Sequence, residues 1–143
     1  ILDYLAAKNP EAGLGGGDGL RAQAEKHKWL SFFTSDMHAA FWPVFMPYHY
    51  TSDESDAAKQ KVKEAGFALV RKQMAVLDKH LAGREWMLDG GKSIVDAYAF
   101  PMIRWAVGVV PGGIADFPNV QALHDRIAAD AAVQTVLADE GGK

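Results

Sequence analysis

Ser93-Ile94-Val95-Asp96-Ala97-Tyr98-Ala99-Phe100-Pro101-Met102-Ile103 is the stretch on which the fold turns. Its first four residues place a hydroxyl at a helix N-cap and a carboxylate three residues later, the pattern of a capping box. Each side chain can satisfy a backbone amide that the first helical turn leaves without a partner. The structural role explains Asp96, which is therefore read as a cap and not as a catalytic acid. Beyond the cap the residues are apolar on all faces, and a helix of that kind sits at the centre of others. It is expected to run from Ser93 to about Val109 and to kink at Pro101, where a backbone donor is missing.

Working outward, the rest of the chain also reads as helical. A long helix is predicted from about Leu20 toward Pro47, with Leu30, Phe33, Met37 and Phe41 as its apolar stripe, widened by Trp29, Phe32 and Ala40. Pro43 predicts a kink or end there. A second runs from Ser52 or Asp53 to Gly83, with Val62, Phe67, Val70, Met74, Leu77 and Leu81 on one face and Lys79, His80 and Arg84 at its negative end. Asp89-Gly90-Gly91 reads as a tight turn. After Pro111-Gly112-Gly113, Pro118 opens a fourth helix and Asp130 caps a short fifth. Glu140 to Lys143 reads as a fraying end. With no strand-period segment, the fold class is all-α, a bundle of about five helices. Ile1 to Lys8 has the pattern of the last two turns of an amphipathic helix, without an initiator Met. Residues 1–8 are thus expected to end a preceding domain, 9–19 to be a linker, and 20–143 to form the helical domain.

Composition narrows the function classes. The 143 residues are 49% apolar with a net charge of -3, which suits a folded domain rather than a disordered one. No Lys/Arg block marks a nucleic-acid or membrane surface. The chain has no cysteine, so neither a disulfide nor a thiolate ligand nor a cysteine nucleophile comes from it. The longest apolar run, Ala97 to Pro111, is interrupted by Arg104 and is too short to span a bilayer. No secretion signal is visible, and the cytoplasm is the default location. His27, His38 and His49 recur every eleven residues, about 16 Å along a helix for each step. That spacing is too wide for one metal, and no other ligand cluster appears.

Two groups of residues could carry chemistry. Trp29, Phe32, Phe33, His38, Phe41, Trp42, Phe45, Tyr48 and Tyr50 crowd one stretch, and helical spacing puts His38, Phe41, Trp42 and Phe45 near one side. Ser31 and Ser35 lie on that side one and two turns earlier, with Asp36 further round. A polar strip beside large apolar rings is the makeup of a cleft wall, and equally of an aromatic core around a satisfied histidine. Arg104-Trp105 on the central helix is the second group. An arginine among apolar neighbours needs a carboxylate, a ligand or a route to water.

These residues converge on a family. The chain resembles the C-terminal helical domain of bacterial cytosolic glutathione transferases, most of all the beta class. The resemblance rests on Ile1-Leu2-Asp3-Tyr4-Leu5, on Trp29-Leu30-Ser31-Phe32 through Asp36-Met37-His38-Ala39-Ala40-Phe41 and Pro43-Val44-Phe45, on Leu77-Asp78 and Leu81-Ala82-Gly83, on Ser93 to Tyr98, on Arg104-Trp105-Ala106, and on Val133-Gln134 with the ending Ala138 to Lys143. It implies that residues 1–8 close a thioredoxin-like domain, and that the full protein adds glutathione, as co-substrate, to small hydrophobic electrophiles. No tightly bound cofactor or metal is implied. His38 matches the family's histidine near the thiol. Ser31, Asp36 and His38 match its glutathione contacts, Asp36 across a homodimer interface. Phe41, Trp42, Tyr98, Arg104 and Trp105 are the expected electrophile wall. The family often has Asn where Ser31 stands and Glu where Asp36 stands, so both side chains reach less far here. The competing expectation is a non-catalytic interaction or stress-response module on the same fold.

Overall fold

The computed structural model describes residues 1–141, and the expected fraying of the chain end at Gly142 and Lys143 lies outside them. Among the described residues seven α-helices follow one another: α1 (Leu2–Lys8), α2 (Gly19–Ser31), α3 (His38–Phe45), α4 (Asp56–Leu81), α5 (Ile94–Val109), α6 (Pro118–Ala128) and α7 (Ala131–Asp139). Short 3-10 turns lie at Pro10–Ala12 and Pro47–His49. Among the described residues there is no strand. No helix of the described residues is long and apolar enough to cross a membrane.

α5 is the central element. Val95, Ala99, Ile103 and Ala106 are buried along it, against Phe33, Met37, Met74, Leu77 and Val120 from the surrounding helices. Its start follows the sequence reading. Ser93 takes the N-cap, its side chain and that of Asp96 forming a reciprocal capping box. The helix runs unbroken through Pro101 to Val109.

The first long helix departs from expectation. α2 and α3 are joined by a π-helical segment, Phe32–Met37, in which the His38 amide donates to the Phe33 carbonyl five residues back. The core spacing explains it. Trp29, Phe33, Met37 and Phe41 are all buried and lie four residues apart. At about 100° per residue, an unbroken α-helix would swing Phe41 about 120° away from Trp29. The wider π turn keeps all four on one face. Pro43 sits inside α3, which ends two residues later at Phe45.

α3 packs closely on α4, and the crossing point is Gly66. A Cβ there would lie 2.8 Å from Val44 Cγ2, 3.1 Å from Pro43 Cβ and 3.2 Å from the Val44 amide nitrogen. α4 is capped by Ser55, whose side chain accepts from the Ala58 amide, and Gly83 follows it in the left-handed conformation at φ 74°. α6 borrows its cap. Its own N-cap Phe117 offers no side-chain acceptor, and Asp78 of α4 accepts instead from the Asn119 amide at 2.7 Å and the Val120 amide at 3.2 Å. Asp130 caps α7 by accepting from the Ala132 amide at 2.9 Å.

Candidate functional site

The aromatic residues of α3 and α5 form one wall. His38 opens α3 at the end of the π segment, half-buried. Its ring lies 6.1 Å from that of Trp42 and nearly parallel to it, at 7°. One helical turn separates them, the spacing at which side chains meet. Across the gap, Trp105 of α5 stands 5.4 Å from His38 at 60°. Phe41 and Phe45 stack at 5.6 Å, and Trp105 meets both edge to face, at 5.5 Å and 5.3 Å. Such pairings hold rings in fixed orientations. Phe41 is fully buried, whereas Trp42 keeps 42% and Phe45 44% of its surface exposed. The two exposed rings, with the half-buried His38 and Trp105, make an apolar surface that carries one imidazole.

Tyr98 lies two turns before Trp105 on α5. Its ring is 5.6 Å from Phe33, and its hydroxyl is 3.4 Å from Thr34 Oγ1. Thr34 donates in turn to the Leu30 carbonyl at 2.9 Å. The sequence reading did not single out Thr34, and it left Phe45 in the aromatic strip without a place in the wall.

Arg104 is set apart from this group. Its guanidinium lies over the Phe100 ring at 5.8 Å, on a groove of about 380 Å³ lined also by Pro101, Ile127, Val133 and Val136. Successive residues of a helix point about 100° apart, so Trp105 faces α3 while Arg104 faces α7.

Ser31 and Asp36 are exposed. Ser35 connects them: its hydroxyl oxygen lies 2.8 Å from the Ser31 carbonyl and 2.7 Å from Asp36 Oδ2. Together with His38, the three line the outer side of the π segment and its exit.

Asp96 and Ser93, by contrast, are each only 1% exposed and belong to the scaffold. Asp96 Oδ1 accepts from the Met87 amide at 2.8 Å, and Oδ2 accepts from the Ser93 amide at 2.8 Å and the Ser93 hydroxyl at 2.9 Å. Burial pushes this carboxyl above its ordinary range, and these donors pull it part of the way back. The same loop fixes His80, whose Nε2 lies 2.8 Å from the Met87 carbonyl. Burial holds this imidazole below its ordinary value. Its ring lies 4.1 Å from Trp29.

A cavity of about 550 Å³ lies elsewhere, between α1, the glycine-rich segment and α2. Lys26, only 5% exposed, reaches Asp3 there at 2.7 Å. Lys26 and His27 hold the Asp3 carboxyl below its usual range. This cavity has no aromatic wall, so the partly exposed aromatic surface at His38 is the better candidate site. Among the described residues, no group of three or more His, Cys, Asp or Glu could hold a metal ion.

A helical bundle centred on a capped apolar helix, with a histidine and two tryptophans where α3 meets α5, defines a class of domain. The family model described as "Glutathione S-transferase, C-terminal domain" matches residues 22–131, and the chain belongs to that family. Glutathione S-transferase GST-4.5 of Xanthomonas campestris pv. campestris is 36% identical over 143 residues, covering 99% of this chain and 68% of that protein. The bacterial beta class enzyme of Sphingomonas chungbukensis superposes with a TM-score of 0.81 at 33% identity, covering 98% of this chain and 65% of that one. A sphingomonad glutathione S-transferase complexed with glutathione gives 0.80 at 33% identity, with the same coverage. The chain is therefore a beta-class-like helical portion of the transferase fold, spanning about two thirds of the length of these relatives.

Proposed function

We propose that this chain is the helical half of a glutathione transferase that joins glutathione to small hydrophobic electrophiles. In this reading residues 1–8 end a thioredoxin-like domain, 9–19 link the domains, and 20–143 supply the electrophile wall and part of a homodimer interface. One relative was solved with glutathione bound, which supports glutathione as the co-substrate. The observation that carries the reading is His38, held between Trp42 and Trp105 at 6.1 Å and 5.4 Å with part of its ring open.

The chemistry follows from that placement. A glutathione thiol must lose its proton before its sulfur can attack. A hydrogen bond donated to the charged form lowers a thiol pKa, and an imidazole N–H at the edge of an apolar wall is such a donor. The thiol proton passes to water; the thiolate lone pair then forms the carbon–sulfur bond with an electrophile lying on Trp105, Trp42, Phe41 and Tyr98, as a leaving group such as chloride departs with the pair of the bond that breaks. Ser31 and Asp36 assist in holding glutathione. Arg104, at the same level of α5 but turned toward α7, would reach only an electrophile lying on that other face of the helix.

The test is thiolate absorbance against pH for glutathione bound to the full-length protein. His38→Ala raises the apparent thiol pKa and lowers turnover, while stability stays within about 1 kcal/mol because the ring is partly open. An unchanged titration curve with lost stability would make His38 a packing residue and overturn its assignment.

A further inference from the structure

Apolar contacts do little to hold α1 on the bundle. Ala6 is its one buried residue, and Ile1, Tyr4 and Leu5 are exposed. The segment that follows, residues 9–18, is rich in glycine, a composition that leaves a linker flexible unless something seats it.

Two contacts do so. The Ile94 amide, at the start of α5, donates to the Leu14 carbonyl at 3.0 Å, so the linker supplies an acceptor for one of the amides that a helix start leaves free. Gly16 then crosses Lys26 and Leu88. A Cβ on Gly16 would lie 2.6 Å from Leu88 Cδ1 and 3.6 Å from Lys26 Cδ, and one on Gly90 would lie 3.2 Å from the Gly16 carbonyl carbon and oxygen. The linker thus rests on the stem of a lysine that is itself buried.

A buried ammonium needs a counter-charge. Among the described residues Lys26 has one ion-pair partner, Asp3 of α1, whose Oδ1 accepts from Nζ at 2.7 Å. Asp3 Oδ2 lies 3.0 Å from His27 Nε2, but that imidazole is exposed and adds little. The pair is lopsided, with 7% of the Lys26 side chain exposed against 46% of the Asp3 side chain. Removing the carboxylate would strand a buried charge, whereas removing the ammonium leaves an aspartate that water can satisfy.

We infer that Asp3 and Lys26 form an ionic clasp that closes the joint between α1 and the bundle. The carboxylate of α1 keeps the ammonium in place, and the lysine stem in turn supports the glycine-rich linker. The consequence for catalysis rests on the proposed function above: α1 ends the preceding domain, and the clasp sets the angle at which that domain meets the His38 wall.

The experiment uses the full-length protein and the variants Asp3→Asn, Lys26→Met and the two combined. Hydrogen exchange at the Ile94 amide reports the linker seat, and kcat/KM with glutathione and a chloronitrobenzene reports the domain angle. In Asp3→Asn the ammonium turns toward water and lifts the linker, so exchange at Ile94 should quicken at least about fivefold. Lys26→Met keeps an unbranched stem of similar length beneath Gly16 and should change that exchange by less than about twofold. The combined variant should return to within about twofold of wild type, a rescue that lost packing alone does not give. All three lack the clasp, so kcat/KM should fall about two- to tenfold in each. Unchanged exchange in Asp3→Asn, or no rescue in the combined variant, would overturn the clasp. If Asp3→Asn does not fold, folding of the combined variant supports the stranded charge and its failure to fold refutes it. Unchanged kcat/KM in all three, with wild-type turnover present, would show that the clasp does not set the domain angle. A wild type without turnover would sink the transferase reading and leave the exchange result to decide the clasp.

Discussion

Replacing Gly66 with alanine sets two effects of opposite sign against each other. In an ordinary helix interior the change stabilises by about 1 kcal/mol, because glycine has more backbone freedom to lose. Here the added Cβ would meet Val44 Cγ2 at 2.8 Å, Pro43 Cβ at 3.1 Å and the Val44 amide nitrogen at 3.2 Å. None of these is the far end of a flexible side chain. The valine is stiff at χ1, the proline is a ring, and the amide is backbone. Overpacking a closed contact costs about 1–3 kcal/mol, and rigid neighbours place this case in the upper half of that range. The net expectation is a loss of about 1–2 kcal/mol, which for a chain of this length lowers the melting temperature by about 3–8 °C. Gly108 supplies the control: it is helical, and a Cβ there meets nothing within 4 Å. Gly108→Ala should stabilise by about 0.5–1 kcal/mol. Thermal and urea unfolding of both variants, followed by circular dichroism, measure the difference. Equal stabilisation by the two alanines would show that the α3–α4 contact has room to give, and the packing argument would be wrong.

The remaining predictions concern the scaffold loop before α5. Asp96→Asn should destabilise nearly as much as Asp96→Ala, by about 2–4 kcal/mol in urea unfolding, because both oxygens accept from buried donors and an amide NH2 would face one of them; a loss below about 0.5 kcal/mol would show that the network relaxes freely. His80 binds its proton less readily folded than unfolded, so the unfolded state gains protons first and stability should fall as pH drops below the ordinary imidazole value of 6.5. His80→Gln keeps a donor for the Met87 carbonyl and should flatten that part of the profile, read as unfolding midpoints at about pH 7.5 and about pH 5.5. A profile of unchanged slope would assign the acid sensitivity to other groups.

Much of the fold was legible because its strongest signals are local. The Ser93–Asp96 cap, the all-apolar α5, Pro118 at the start of α6 and Asp130 before α7 each depend on residues within one turn, and each stands where the sequence placed it. The π segment was not read, although Trp29, Phe33, Met37 and Phe41 carry its signal in three successive steps of four. With Leu30 as the first residue of the stripe and Trp29 only widening it, the pattern was one that an ordinary helix could satisfy, and Leu30 is only half-buried. The contacts that depend on tertiary approach had no local signal. Asp78 capping α6 spans 41 residues, and Lys26 beneath Asp3 places a cation where its sequence neighbours suggest a solvated face. The site divides in the same way. The His38, Phe41 and Trp42 grouping follows from helical spacing. The turning of Arg104 away from Trp105 depends on which neighbour packs on each flank of α5.

The π segment also bears on how this chain should be lined up with its relatives. A helix that is α throughout reaches the same two ends with one residue fewer, since a π turn accommodates one extra residue. In comparison with such a protein, positions up to Ser31 and positions from His38 onward belong to different offsets. A gap placed before Phe32 would leave His38 correctly matched but could shift residues of the π segment onto their neighbours, and one placed after His38 would mismatch His38 as well. The bookkeeping of homology at this site therefore has to be done in three dimensions, with the gap assigned where the helix widens.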